Sequence, residues 1–114
     1  MNIAELLTTY DISFHRSNSS SWPYSARGGM CAWFLNDFQD EDFINEALEY
    51  ITELLAGGTQ DYDKDLISSD AYFARIKNSM VKISAGYRGG NGAIQIIPLS
   101  DFKLILEEWL KFIK

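Results

Sequence analysis

The chain has 114 residues and a mass of 13.0 kDa, with 46% hydrophobic and 14% aromatic residues, which fits one folded domain over 1–114 and excludes disorder over most of its length. Sixteen acidic side chains face ten basic ones for a net charge of -6, which argues against nucleic acid or an anionic membrane as the main partner. A single cysteine, Cys31, excludes an internal disulfide, and no apolar run approaches the ~18 residues of a membrane span.

The opening MNIAELLTTYD carries Glu5 and lacks the basic region of a secretory signal, so a cytoplasmic location is expected. Residues 1–9 suit a helical turn or an extended lead-in. YDISFHR alternates, with Tyr10, Ile12 and Phe14 on one side and Asp11, Ser13 and His15 on the other, which predicts a half-buried strand. SNSSSWPYSARGG, residues 17–29, reads as turn chemistry throughout, because Ser and Asn compete for backbone bonds and Pro23 fixes φ. The short apolar run MCAWFL, residues 30–35, predicts a second strand.

The clearest helix is 41–55. Asp40 is placed to cap it, and Glu41 and Asp42 face the positive end of its dipole. Phe43, Ala47, Ile51 and Leu54 form an apolar stripe for burial on a sheet, flanked by Ile44, Leu48 and Leu55. Glu46, Glu49 and Glu53 fall on the other side. Gly57 and Gly58 stop the helix. TQDYDKDLISSD, residues 59–70, then reads as an acidic loop with Asp61, Asp63 and Asp65 at alternate positions. A calcium loop would need Gly at its sixth position and Glu at its twelfth, where Leu66 and Tyr72 stand, so no metal site is expected.

Strands follow over 71–79 and 80–87, joined at Asn78 and Ser79, with Tyr72, Ala74 and Ile76 on one face of the first and Val81, Ile83 and Ala85 on one face of the second. RGGNG, residues 88–92, is a glycine-rich turn that precedes a strand and lacks the Lys of a phosphate loop, and AIQIIPL ends where Pro98 removes a donor. Ser100 is expected to cap the last helix, which buries Phe102, Ile105, Leu106, Trp109 and Ile113. The resulting order, β-β-α-β-β-β-α, predicts an α+β domain: an antiparallel sheet of four to five strands packed against two main helices.

No nucleophile, base and orienting group announce themselves, so no enzyme activity and no cofactor is expected. His15 reads as a surface histidine and Cys31 as a buried inert thiol. Charge is segregated: residues 37–70 hold eleven carboxylates and one lysine, whereas residues 71–114 hold seven cations and three acids. Such a block attracts basic proteins and speeds encounter with them. Glu46, Glu49, Glu53, Asp61, Asp63 and Asp65 are therefore the candidate contact acids, with Trp22, Tyr24, Tyr50 and Tyr62 as candidate aromatic anchors.

The acidic middle, together with the ending PLSDFKLILEEWLKFIK and its F-x-x-I-L-x-x-W-x-x-F pattern at Phe102, Ile105, Leu106, Trp109 and Phe112, resembles the small acidic immunity proteins encoded beside bacterial polymorphic and contact-dependent growth inhibition toxins. The resemblance implies a stoichiometric inhibitor that binds a cognate toxin, often a nuclease, and blocks its active site or substrate path. Two alternatives stand beside it: an adaptor or regulator of another basic protein, and a small ligand-binding domain.

Overall fold

A computed structural model of the chain describes residues 2–18, 23–57, 63–67, 72–77, 79–85 and 94–114. In chain order the described elements are α1 (Ile3–Thr9), β1 (Ile12–Arg16), β2 (Tyr24–Gly28), α2 (Met30–Asn36), α3 (Glu41–Leu55), β3 (Asp63–Ile67), β4 (Tyr72–Lys77), β5 (Met80–Ala85), β6 (Ile94–Pro98) and α4 (Leu99–Ile113). The α+β class and the antiparallel pairing are as expected. The finer layout differs, because the strands divide into a two-stranded sheet, β1-β2, and a four-stranded sheet, β3-β4-β5-β6. Two short helices also join the two long ones. No helix of the described residues is long and apolar enough to cross a membrane.

Three secondary-structure assignments are corrected. The run MCAWFL is helix α2, not a strand. Cys31, Ala32, Phe34, Leu35 and Phe38 are buried while Trp33 is 50% exposed, which is helical spacing along an almost wholly apolar segment. Residues 24–28, expected as turn, form β2, because β1 supplies the ladder from Ile12 opposite Gly28 to Arg16 opposite Tyr24. Residues 63–67, expected as acidic loop, form β3 on the edge of the larger sheet, paired with β4. Of the predicted glycine-rich turn, residues 88–92 lie outside the described residues, as does Gly58.

The hairpin depends on one backbone approach. The Gly29 N–H donates to the Asp11 carbonyl at 2.7 Å, and Gly28 has φ +133°. A Cβ on Gly28 would lie 1.8 Å from the Asp11 oxygen, so only glycine fits there.

One face of the four-stranded sheet is buried through Ala74, Ile76, Val81, Ile83 and Ile97. Helix α2 packs on this face, α4 packs on β5 and β6, and α3 packs on α4. The expected burial of α3 on a sheet is thus replaced by helix-on-helix packing. Asp40 does cap α3, accepting the N–H groups of Asp42 and Phe43, and Gly57 at φ +95° follows its end. Pro98, not Ser100, occupies the N-cap position of α4, and the Leu99 N–H donates to the Ser79 carbonyl.

Trp109 is the centre of the core. It is fully buried, its ring lies 5.1 Å from that of Phe14, and its indole N–H donates to the Phe38 carbonyl at 2.9 Å. That bond ties α4 to the segment joining α2 and α3. Gln95 makes a second tie, accepting from the Cys31 N–H at 2.8 Å and donating to the Tyr10 carbonyl at 3.2 Å.

Candidate functional site

Helix α3 turns Ile44, Ala47 and Ile51 inward, with Leu48, Tyr50 and Leu54 half-buried beside them. The opposite side therefore faces solvent. Asp42, Glu46, Glu49 and Glu53 recur there at steps of four, three and four residues, so they run along one side of the helix, and all four are exposed. Glu46, Glu49 and Glu53 line a shallow depression of about 270 Å³ with Tyr50. Among the described residues they make no ion pair: Lys103 and Lys111 of α4 instead pair with Glu107 at 3.9 Å and Glu108 at 3.2 Å.

The remaining candidates do not join this row. Asp63 and Asp65 lie on β3, where the register sets them opposite Lys77 and Arg75. Two acids expected in a free loop thus stand across from cations of the same sheet. Tyr24 packs against the core, its ring edge-on to Phe112 at 5.7 Å, and the Arg16 guanidinium lies 5.7 Å from the Tyr24 ring and 5.0 Å from the Phe112 ring. It is an internal contact, not a free anchor. Trp22, Asp61 and Tyr62 lie outside the described residues.

One residue of the α3 surface was missed by sequence reasoning. Phe43, placed in the buried stripe, is 58% exposed. It precedes Tyr50 by seven residues and so sits on the same side of the helix, bordering the acidic row. The missed signal is its neighbour. Ile44 starts the i, i+3, i+7 set Ile44, Ala47, Ile51, and centring the stripe on that set carries Phe43 to its margin.

Groups with nucleophilic or basic chemistry lie elsewhere. Cys31 is fully buried, and desolvation pushes its thiol well above the ordinary range, so it carries no thiolate at neutral pH. The Ser13 hydroxyl and His15 Nε2 lie 2.9 Å apart on the exposed face of β1, and among the described residues no carboxylate hydrogen-bonds the His15 ring. Among the described residues no three His, Cys, Asp or Glu side chains gather as a metal site. The α3 surface presents a line of carboxylates edged by the rings of Phe43 and Tyr50. No family model, no curated protein and no solved structure matches the chain.

Proposed function

We propose that the protein binds and neutralises a basic protein partner through the acidic side of α3, and that this partner is a toxin domain, most simply a nuclease, as the resemblance to immunity proteins implies. The observation that carries the reading is the row Asp42, Glu46, Glu49 and Glu53, exposed, aligned and without a counter-ion among the described residues. Carboxylates along a helix present an anionic track that the Lys and Arg of a nucleic-acid cleft accept through charge-assisted bonds. Their field speeds encounter, while the rings of Phe43 and Tyr50 supply apolar area that slows release. The partner would lose access to its substrate by occlusion, with no chemistry asked of this chain.

The test is capture of the partner from the native host, followed by stopped-flow association with the wild type and with Glu46→Gln/Glu49→Gln/Glu53→Gln at about 50 and 300 mM salt. We expect the triple variant to associate about tenfold or more slowly at the lower salt and to lose most of the salt dependence. Phe43→Ala should act mainly on dissociation. Equal association rates for the wild type and the triple variant would refute this placement. A captured partner that shows no toxic or nuclease activity would refute the inhibitor role while leaving the contact face intact.

A further inference from the structure

The four-stranded sheet ends at β6, and its register fixes which backbone groups face outward there. The Leu99 N–H donates to the Ser79 carbonyl, which extends the β5-β6 ladder by one pair beyond Met80 and Pro98. Bonded and non-bonded pairs alternate along an antiparallel ladder. Gln95 and Ile97 therefore bond to β5, and Ile94, Ile96 and Pro98 turn their backbone groups away from it. Pro98 has no N–H, and as the N-cap of α4 its carbonyl accepts the first bond of that helix. Ile94 and Ile96 are left with two N–H and two C=O groups on the edge, and none of these has a partner among the described residues.

The two edges of this sheet differ. β3 carries Asp63, Lys64 and Asp65, and charge on an edge strand discourages pairing. β6 has no charged residue, and Ile94 and Ile96 keep 48% and 52% of their surface on its outer side. Gln95 between them is held on the inner side, where its amide accepts from the Cys31 N–H and donates to the Tyr10 carbonyl. The edge is thus extended, anchored, uncharged and apolar.

We propose that β6 pairs antiparallel with β6 of a second copy of this chain, across a two-fold axis at Gln95. What selects a second copy is the self-match of the edge. With the axis at Gln95, Ile94 of one copy stands opposite Ile96 of the other, and each such pair exchanges two N–H···O bonds. These bonds use every outward group of Ile94 and Ile96 in both copies. On the outer side the isoleucines of the two copies meet and cover one another's exposed apolar surface. Charge does not oppose the approach. Lys82, opposite Ile96, lies three strand spacings from its counterpart, about 14 Å or more, which exceeds the screening length of roughly 8–10 Å in ordinary salt. The contact is isologous, so it closes at two copies. The paired segment is short, which places it among weak interfaces. The inference does not rest on the partner proposed for α3.

The test is sedimentation velocity at about 150 mM salt, with protein from about 10 μM to about 1 mM. The wild-type mass should rise with concentration from 13.0 kDa toward twice that value and stop there. Ile96→Pro removes one outward N–H and no bond to β5, so it should keep the fold and weaken association about 30-fold or more. If circular dichroism shows it unfolded, Ile94→Lys/Ile96→Lys takes its place, with the same expected loss. Amide hydrogen exchange reads the register. The Gln95 and Ile97 amides should be protected at every concentration, whereas those of Ile94 and Ile96 should slow about threefold or more between about 10 μM and about 1 mM. A wild type that stays monomeric throughout overturns the proposal and leaves the edge to a strand of another protein. A dimer that forms equally well in the variant, or whose Ile94 and Ile96 amides do not slow, overturns it too, because the copies then meet elsewhere.

Discussion

Neutralising the acidic row should stabilise the fold. Three like-charge pairs lie along it at helical contact spacing: Asp42 with Glu46, Glu46 with Glu49, and Glu49 with Glu53. Each such pair opposes the helix by about 0.2–0.5 kcal/mol. Glu53 also lies near the negative pole of α3, whose last turn holds no basic residue, at a cost of about 0.3–1 kcal/mol. Among the described residues the three glutamates form no ion pair that would offset these terms. Glu46→Gln/Glu49→Gln/Glu53→Gln should therefore raise stability by about 1–2 kcal/mol at low ionic strength. The assay is urea unfolding at about 20 and 500 mM salt, and the gain should shrink at the higher salt because the repulsion is screened. A triple variant less stable than the wild type at low salt would mean that these carboxylates serve the fold. The reading of the row as a surface kept for a partner would then fail.

Trp109→Phe should cost about 2–4 kcal/mol in urea unfolding, since it orphans the buried Phe38 carbonyl and leaves a void beside Phe14; a cost under about 1 kcal/mol would show that water replaces the indole N–H. Gly28→Ala should cost at least about 2 kcal/mol, because its Cβ meets the Asp11 carbonyl at a φ that L-residues avoid, and a neutral result in thermal unfolding would refute the close approach. Tyr10 donates to Asp101 at 2.7 Å, and burial, followed by that bond and the carboxylate charge, pushes its phenol up to about 12. Folding thus favours the neutral phenol, so the Tyr10 contribution is intact below the unfolded value of about 10 and is lost as pH climbs toward 12. Tyr10→Phe should therefore narrow the stability loss between pH 10 and 12, measured as the urea midpoint, and an unchanged slope would count against the shift.

Local physics is legible in this chain, and non-local pairing is not. The span of α3, its Asp40 cap, its stop at Gly57, the burial of Ala74, Ile76, Val81 and Ile83 on β4 and β5 and of Phe102, Ile105, Leu106 and Trp109 on α4 all follow from periodicity and capping, which act within a few residues, whereas Ile113, expected in the buried face of α4, is only half-buried. MCAWFL shows the limit. A short run apolar on every side suits a buried strand and a buried helix equally, and only its seat between the hairpin and the larger sheet settles the matter. The polar segments YSARG and DKDLI carry little strand signal, and they become β2 and β3 because β1 and β4 complete their hydrogen bonds. The same division runs through the candidate site. Helical spacing alone aligns Glu46, Glu49 and Glu53, whereas tertiary packing exposes Phe43, engages Tyr24 and sets Asp63 and Asp65 opposite cations. Spacing along one helix is a property of the chain, but which surfaces remain for a partner depends on what every other element has already covered.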